Sequence, residues 1–246
     1  MKKEELLNKV DSRIIKGIAH RGLHNEIYTE NGLKAFKNAL DNNLAIELDI
    51  HLTKDKKLVV CHDSNLKRTT NKEGIIEELT LEEIENNYTL LDGGKIPTLE
   101  DVLSLVNEQV PLVIELKVEN KNYKELGDIT RIELGKRIKN KNMNMYMFIS
   151  FDPRALVRVR KMGVITSFLI CKAKEWTYMF RHLFDSIDIE WTMVEEKRVK
   201  RYSKHHFVNV WTIENKEQVE KVKPYCSTMT FQHINKDIIF NALSEK

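Results

Sequence analysis

The stretch Ala45-Ile46-Glu47-Leu48-Asp49-Ile50-His51 decides the fold. Side chains alternate between the two faces of a strand. Ile46, Leu48 and Ile50 therefore share one face, and Glu47, Asp49 and His51 share the other. In a closed parallel barrel the apolar face packs outward on helices, while inward residues near the strand's C-terminal end can line a site. Two carboxylates and an imidazole converging there suit a hard divalent cation. An edge strand with a solvated polar face would show the same alternation. The flanking chain favours the barrel, because a His-bearing strand end lies on each side: His20 after Ile18-Ala19, and His62 after Val59-Val60-Cys61.

Working outward, residues 2–12 read as a short polar helix and 14–19 as a strand ending at His20-Arg21-Gly22. Glu30-Asn31-Gly32 opens a helix that carries Leu33, Phe36, Ala39 and Leu40 at helical spacing. Strand, helix and strand make a parallel βαβ unit. Beyond the turn at 54–57, residues 58–61 read as another short strand. The segment 54–96 is too long for a tight barrel loop and reads as an insertion on the catalytic side. It holds a helix near 80–87, with Thr80 as cap and Glu83 three residues on. Pro97 starts the next helix. Residues 111–117 form a strand with Leu112, Ile114 and Leu116 on one face and Glu115 and Lys117 on the other.

Strands at 145–150, 164–170, 186–189, 207–211 and 227–231 then alternate with helices near 122–140, 153–162, 174–184, 195–205 and 215–223. No linker interrupts the pattern. The chain therefore reads as one α/β domain over residues 1–246, a (β/α)8 TIM barrel with a small insertion, about 54–96, after the second barrel strand.

Composition narrows the function. The 246 residues match the usual size of such a barrel, and 41% apolar with 31% charged residues describes a soluble globular chain. A net charge of +3 points to neither nucleic acid nor an anionic membrane, and no stable membrane insertion is expected. Cys61, Cys171 and Cys226 are odd in number and widely spaced, which suits a reducing compartment. The opening residues lack the apolar run of a signal peptide, and no stretch is long enough to span a bilayer. These features point to a cytoplasmic location. They leave the oligomeric state unknown.

Two histidines at the mouth of a barrel can serve as general acid and base, since imidazole titrates near neutrality. Glu47, Asp49 and Glu115 supply three carboxylates from two strands. Crowded buried carboxylates repel unless protons or a cation intervene, so one Mg2+ or Ca2+ ion is expected there. A salt-bridge network with Arg21 and Lys117 is the competing reading. The same two cations also suit a phosphate diester. The basic run 197–206 reads as a solvated helix face, the aromatic stretch 176–184 as core packing, and Cys61 as a small buried residue.

The ordered motifs resemble the glycerophosphodiester phosphodiesterase family. They are Ile18-Ala19-His20-Arg21-Gly22, Glu30-Asn31, Ile46 through Asp55, Val59-Val60-Cys61-His62-Asp63 and Arg68-Thr69-Thr70. Ile96-Pro97-Thr98-Leu99-Glu100, Ile114-Glu115-Leu116-Lys117, Ser150-Phe151-Asp152-Pro153 and Val210-Trp211-Thr212 continue the set. The resemblance implies a (β/α)8 barrel with an insertion after its second strand. It implies a cation held by Glu47, Asp49 and Glu115, and acid–base work by His20 and His62. It further implies phosphate contacts from Arg21 and Lys117, and a glycerol or leaving-group pocket walled by Trp211. Which histidine is acid and which base stays open; the working assignment makes His20 the base.

The implied reaction cleaves a glycerophosphodiester, a small-molecule substrate, to glycerol 3-phosphate and an alcohol, with attack by the substrate's own 2-hydroxyl. Two alternatives stand beside it: a phospholipase D-like reaction on lysophospholipids, and a catalytically weak phosphodiester-binding barrel. The sequence departs from the family pattern at Thr29 for Pro, Gly32 for Thr or Ser and Lys56 for Gly. It departs again at Thr230-Phe231-Gln232-His233, where Thr-Asp-x-Pro is usual.

Overall fold

The computed structural model describes residues 1–137 and 142–244. The strands among these residues are β1 (Ile18–Ala19), β2 (Ala45–Leu52), β3 (Leu58–Val60), β4 (Leu112–Leu116) and β5 (Tyr146–Ser150). They continue with β6 (Ile165–Ile170), β7 (Ser186–Glu190), β8 (Val208–Ile213) and β9 (Thr228–Phe231). All but β3 run parallel, in the order β1, β2, β4, β5, β6, β7, β8, β9. Because β1 pairs with both β2 and β9, the sheet closes into an eight-stranded barrel. Helices follow the strands around the outside, as a (β/α)8 barrel requires.

Local chemistry sets the elements. The helix Leu99–Val106 starts from a reciprocal cap: Asp101 N–H donates to Thr98 Oγ1 at 3.1 Å, and Thr98 N–H donates to the Asp101 carboxylate at 2.9 Å. It buries Leu99, Val102, Leu103 and Val106. The same device, with Thr80 and Glu83, starts the helix Leu81–Asn87. The predicted helix 122–140 is observed over Tyr123–Arg137; its last three positions lie outside the described residues.

Three expectations are corrected. Residues 14–16 belong to a helix, Ser12–Lys16, because Asp11 caps it by accepting from Arg13 N–H at 2.9 Å; β1 starts only after Gly17. The strand 58–60 lies in the insertion, as expected, but its end is not equivalent to that of a barrel strand. It folds back antiparallel on β2, with Ile50 opposite Val60 and Leu52 opposite Leu58. The turn uses Lys56 at φ +65°, a left-handed position that explains the usual Gly there. The segment predicted as a helix at 174–184 is a 3₁₀ segment over Lys172–Phe180, kinked at Lys174. A further helix, Lys236–Ser244, lies beyond the last predicted strand.

The alternation produces two concentric cores. Ile46, Leu48 and Ile50 face outward and pack with helix residues such as Phe36, Val102 and Leu156. Ala45, Val113, Met147 and Ile165 face inward, and Leu6, Val10 and Ile14 join them, so the N-terminal segment plugs one end of the barrel. A third cluster, including Val59, Leu66, Ile76, Ile84 and Ile96, gives the 54–96 region its own small core.

Candidate active site

Inward side chains change from apolar to charged along two adjacent strands. On β2 the sequence runs Ala45, Glu47, Asp49; on β4 and just past it, Val113, Glu115, Lys117. The register sets Asp49 directly beside Glu115. Glu47, Asp49 and Glu115 are buried, and one oxygen from each lies within 4.8 Å of the others. Lys117 Nζ sits 3.1 Å from Glu115 Oε1 and 3.6 Å from Asp49 Oδ1.

The β1–helix connection supplies the opposite wall. Arg21 N–H donates to Glu47 Oε2 at 2.8 Å, and its guanidinium donates to Glu30 at 2.7 Å while Nε lies 3.5 Å from Asp49 Oδ2. The following residue must be Gly22: its φ is +79°, and a Cβ there would stand 2.9 Å from the Ala35 backbone. Asn31 Nδ2 donates to Asp49 Oδ2 at 2.8 Å. Glu30 also receives two bonds from Arg68, at 2.7 and 2.9 Å, and Arg68 in turn donates to Asp63 at 2.6 Å.

These surroundings split the three carboxylates. Burial pushes Glu47 well above the ordinary range, and repulsion from Asp49 and Glu115 adds to it. Burial likewise raises Glu115 to about 7, against the pull of Lys117. For Asp49 burial also opposes ionisation, but Lys117, Arg21 and His62 outweigh it and hold the group below the usual carboxylate range. Counting the connected charges, Glu30, Glu47, Asp49, Asp63 and Glu115 face Arg21, Arg68 and Lys117. Fully ionised, the set leaves two negative charges, which one divalent cation would cancel; the upward shifts of Glu47 and Glu115 reflect the same excess. Asp49 Oδ1 is buried without a hydrogen-bond partner. A set of hard oxygen donors with an unshared lone pair and that charge fits Mg2+ or Ca2+.

His20 stands at the end of β1. Its Nδ1 lies 2.5 Å from Gln232 Oε1, and Gln232 Nε2 donates to Glu214 at 2.5 Å. A carboxylate only accepts, so Glu214 fixes the amide's orientation. The amide oxygen then faces His20, and Nδ1 must carry the proton. Nε2 is left as a free lone pair, 4.0 Å from Glu47 Oε2. Burial, with Arg21 nearby, pushes His20 down to about 3, so the ring stays neutral through physiological pH. His62 reaches the same place by the antiparallel return of β3, which sets Cys61 N–H on the Asp49 carbonyl at 3.1 Å. Its Nδ1 lies 2.6 Å from Asp63, and burial lowers its pKa despite Asp49.

His20, Arg21, Glu47, His62, Glu115 and Trp211 line one cleft. Ile149, Phe151 and Leu169 add an apolar wall, with Trp211 edge-to-face on Phe151 at 5.9 Å. Lys117 adjoins it through Glu115. His51 is corrected. It continues the β2 alternation, but its Nδ1 lies 2.7 Å from Glu77 and its Nε2 donates to the His62 carbonyl at 3.1 Å. It docks the 54–96 region instead of facing the acidic cluster. Cys61 is buried, and burial pushes its thiol up to about 11, in keeping with a packing role.

Two residues in the cleft's framework were not singled out from the sequence. Gln232 lies in the departing last motif, yet it shares the inward parity of Thr228 and Thr230. Asp188 lines the cleft from β7, accepting from Ser167 and from Asn209, the latter at 2.8 Å. Its signal is the Ser186, Asp188, Glu190 alternation against Ile187 and Ile189, the same pattern as in β2.

Fold and site together define a (β/α)8 barrel with a cation-ready acidic cluster and two imidazoles at one mouth. Residues 20–228 match the glycerophosphoryl diester phosphodiesterase family, and the chain belongs to that family. Among its relatives are glycerophosphodiester phosphodiesterases of Bacillus altitudinis and Caldanaerobacter subterraneus. Each is 39% identical, over 119 and 159 residues, or 46% and 59% of this chain. The matches span 48% and 62% of those relatives' own lengths. The fold is shared with an Oleispira antarctica phosphodiesterase solved with the product sn-glycerol-3-phosphate. That structure has a TM-score of 0.78 and 22% identity, with 93% of this chain and 96% of that one covered.

Proposed function

We propose that the protein hydrolyses glycerophosphodiesters to glycerol 3-phosphate and an alcohol, with Mg2+ or Ca2+ held by Glu47, Asp49 and Glu115. The observation that carries the reading is a neutral His20 with its Nε2 lone pair fixed beside the carboxylate cluster and within one cleft with His62 and Arg21. The names of the two compared relatives and the product held by the Oleispira enzyme support it.

In this mechanism His20 Nε2 accepts the proton of the substrate's 2-hydroxyl. The freed oxygen attacks phosphorus and displaces the alcohol, which takes its proton from His62. Water then opens the cyclic phosphate, with the two imidazoles exchanging roles, to leave glycerol 3-phosphate. An intramolecular nucleophile reaches an effective molarity of about 10⁵ M or more when well oriented. Arg21 and Lys117 bind the phosphoryl oxygens, and Trp211 with Phe151 walls the glycerol side. Asp63, held by Arg68, orients His62 through Nδ1 and opposes the burial that lowers its pKa, favouring the cationic ring that donates from Nε2. The bound cation would neutralise charge on the phosphoryl oxygens.

The test is release of glycerol 3-phosphate from glycerophosphocholine, glycerophosphoethanolamine and glycerophosphoglycerol with Mg2+, Ca2+ or chelator. Chelator and Glu47→Gln should each abolish turnover, and His20→Ala should lower it by about 10²-fold or more. Undiminished turnover in chelator overturns the metal role. Turnover on lysophospholipid alone replaces this substrate class with the phospholipase D-like one.

A further inference from the structure

One face of the barrel carries features that the cleft does not use. Trp176, Met179 and Leu183 are 64%, 66% and 53% exposed. They lie on, or just after, the Lys172–Phe180 segment, whose inner side is anchored: Thr177 and Tyr178 are buried, and Phe180 packs on Phe168 at 6.3 Å. Residues three apart in a 3₁₀ segment lie one above the other, so Trp176 and Met179 are displayed together. The expected core stripe is thus only half core. Its outer half faces solvent.

The neighbouring helix, Lys197–Ser203, is the predicted basic face. From Lys197 to His206 the chain holds five Lys and Arg and no acid. A groove between the two elements is lined by Arg181, His182, Lys197, Arg198, Arg201 and His205, among others. One groove cation is compensated: Arg198 pairs with Glu175 and Glu196, which also hold Lys172, while Glu195 is engaged with Lys221. Lys197 and Arg201 have no ion pair among the described residues, and Arg181 is held over the Tyr178 ring at 4.8 Å. Lys197, Arg201 and Arg181 thus leave the groove net cationic beside three outward apolar side chains.

We propose that this face docks the protein reversibly on an anionic phospholipid bilayer, with headgroup phosphates in the groove and Trp176, Met179 and Leu183 in the interface. Both observations need this one occupant. A polyanion such as RNA would use the cations and leave the apolar trio in water, whereas a lipid surface is anionic and apolar at adjacent depths. The face also begins at the rim of the cleft. Leu169, three residues before Lys172, lines the cleft, and Lys172 N–H donates to Glu190 at the end of β7 at 2.8 Å.

The test is co-sedimentation of the full chain with vesicles of phosphatidylcholine alone or mixed with phosphatidylglycerol, at low and high salt. Binding should need phosphatidylglycerol and weaken with salt. Lys197→Gln with Arg201→Gln should lower partitioning by roughly fivefold per charge. Trp176→Ser with Met179→Ser should weaken it as well, at unchanged thermal melting. Lys197→Arg with Arg201→Lys should bind like the parent. Three outcomes overturn the proposal: no partitioning to phosphatidylglycerol vesicles, equal partitioning by the charge-neutral pair, or retention on RNA without retention on vesicles. None of these readings depends on turnover.

Discussion

Gln232 holds His20 in one tautomer through a chain that ends on Glu214. Removing the amide frees the ring to carry its proton on either nitrogen. Gln232→Leu should therefore lower kcat on glycerophosphocholine by about 10²-fold, with a smaller change in KM, since the base role proposed for His20 contributes about that much. Steady-state kinetics check this, and an unchanged kcat would remove Gln232 from the positioning role. Asp188 offers a pH test at the same scale. Its burial raises its pKa to about 6, against the bonds from Ser167 and Asn209. A raised folded-state value means the fold prefers the protonated acid. That contribution is complete below the ordinary carboxylate range and is lost as pH rises through about 6. Asp188→Asn does not titrate, so its stability relative to the parent should increase between about pH 4 and about pH 8, by at most about 3 kcal/mol. Thermal melting at the two pH values checks the direction; a pH-independent difference would contradict it.

At the scale of elements, the β2–β3 hairpin decides where His62 arrives. Because β3 runs back along β2, the chain passes from the rim to the level of Asp49 within a few residues. His51 locks this hairpin to the 54–96 region through Glu77, whose other oxygen accepts from Ser64. His51→Leu should cost about 3 kcal/mol, because it strips a mostly buried carboxylate of one partner. Denaturant unfolding measures the loss. Divalent-cation affinity, by titration calorimetry, should change far less; a proportionate loss would return His51 to the acidic cluster.

Over the whole molecule, the barrel has a plugged end and a working end. Leu6, Val10 and Ile14 close the first by packing with inward residues of the strands. The charged residues at the other end can therefore sit in a cleft rather than a channel. Leu6 is fully buried. Leu6→Ala should cost about 3 kcal/mol of stability by opening a cavity there. It should leave KM for a soluble diester unchanged, since the plug lies at the far end from the site. A matching rise in KM would show that the two ends are coupled.

Local pattern was enough for much of this. Period-two alternation in β2 and β4 placed Glu47, Asp49, Glu115 and Lys117 on the inward face, and the Thr80 cap and Pro97 marked their helices, because these effects act within a few residues. The same alternation marked His51 and could not say that Glu77 would claim it. It gave no direction for β3, whose reversal depends on a left-handed turn at Lys56. His20 and Gln232 are 212 residues apart in sequence and meet only because β9 closes on β1. The plug at Leu6 likewise exists only once the sheet has closed. Which side chains share a face is a property of one strand; which of them become partners is settled by barrel closure, which no single element encodes.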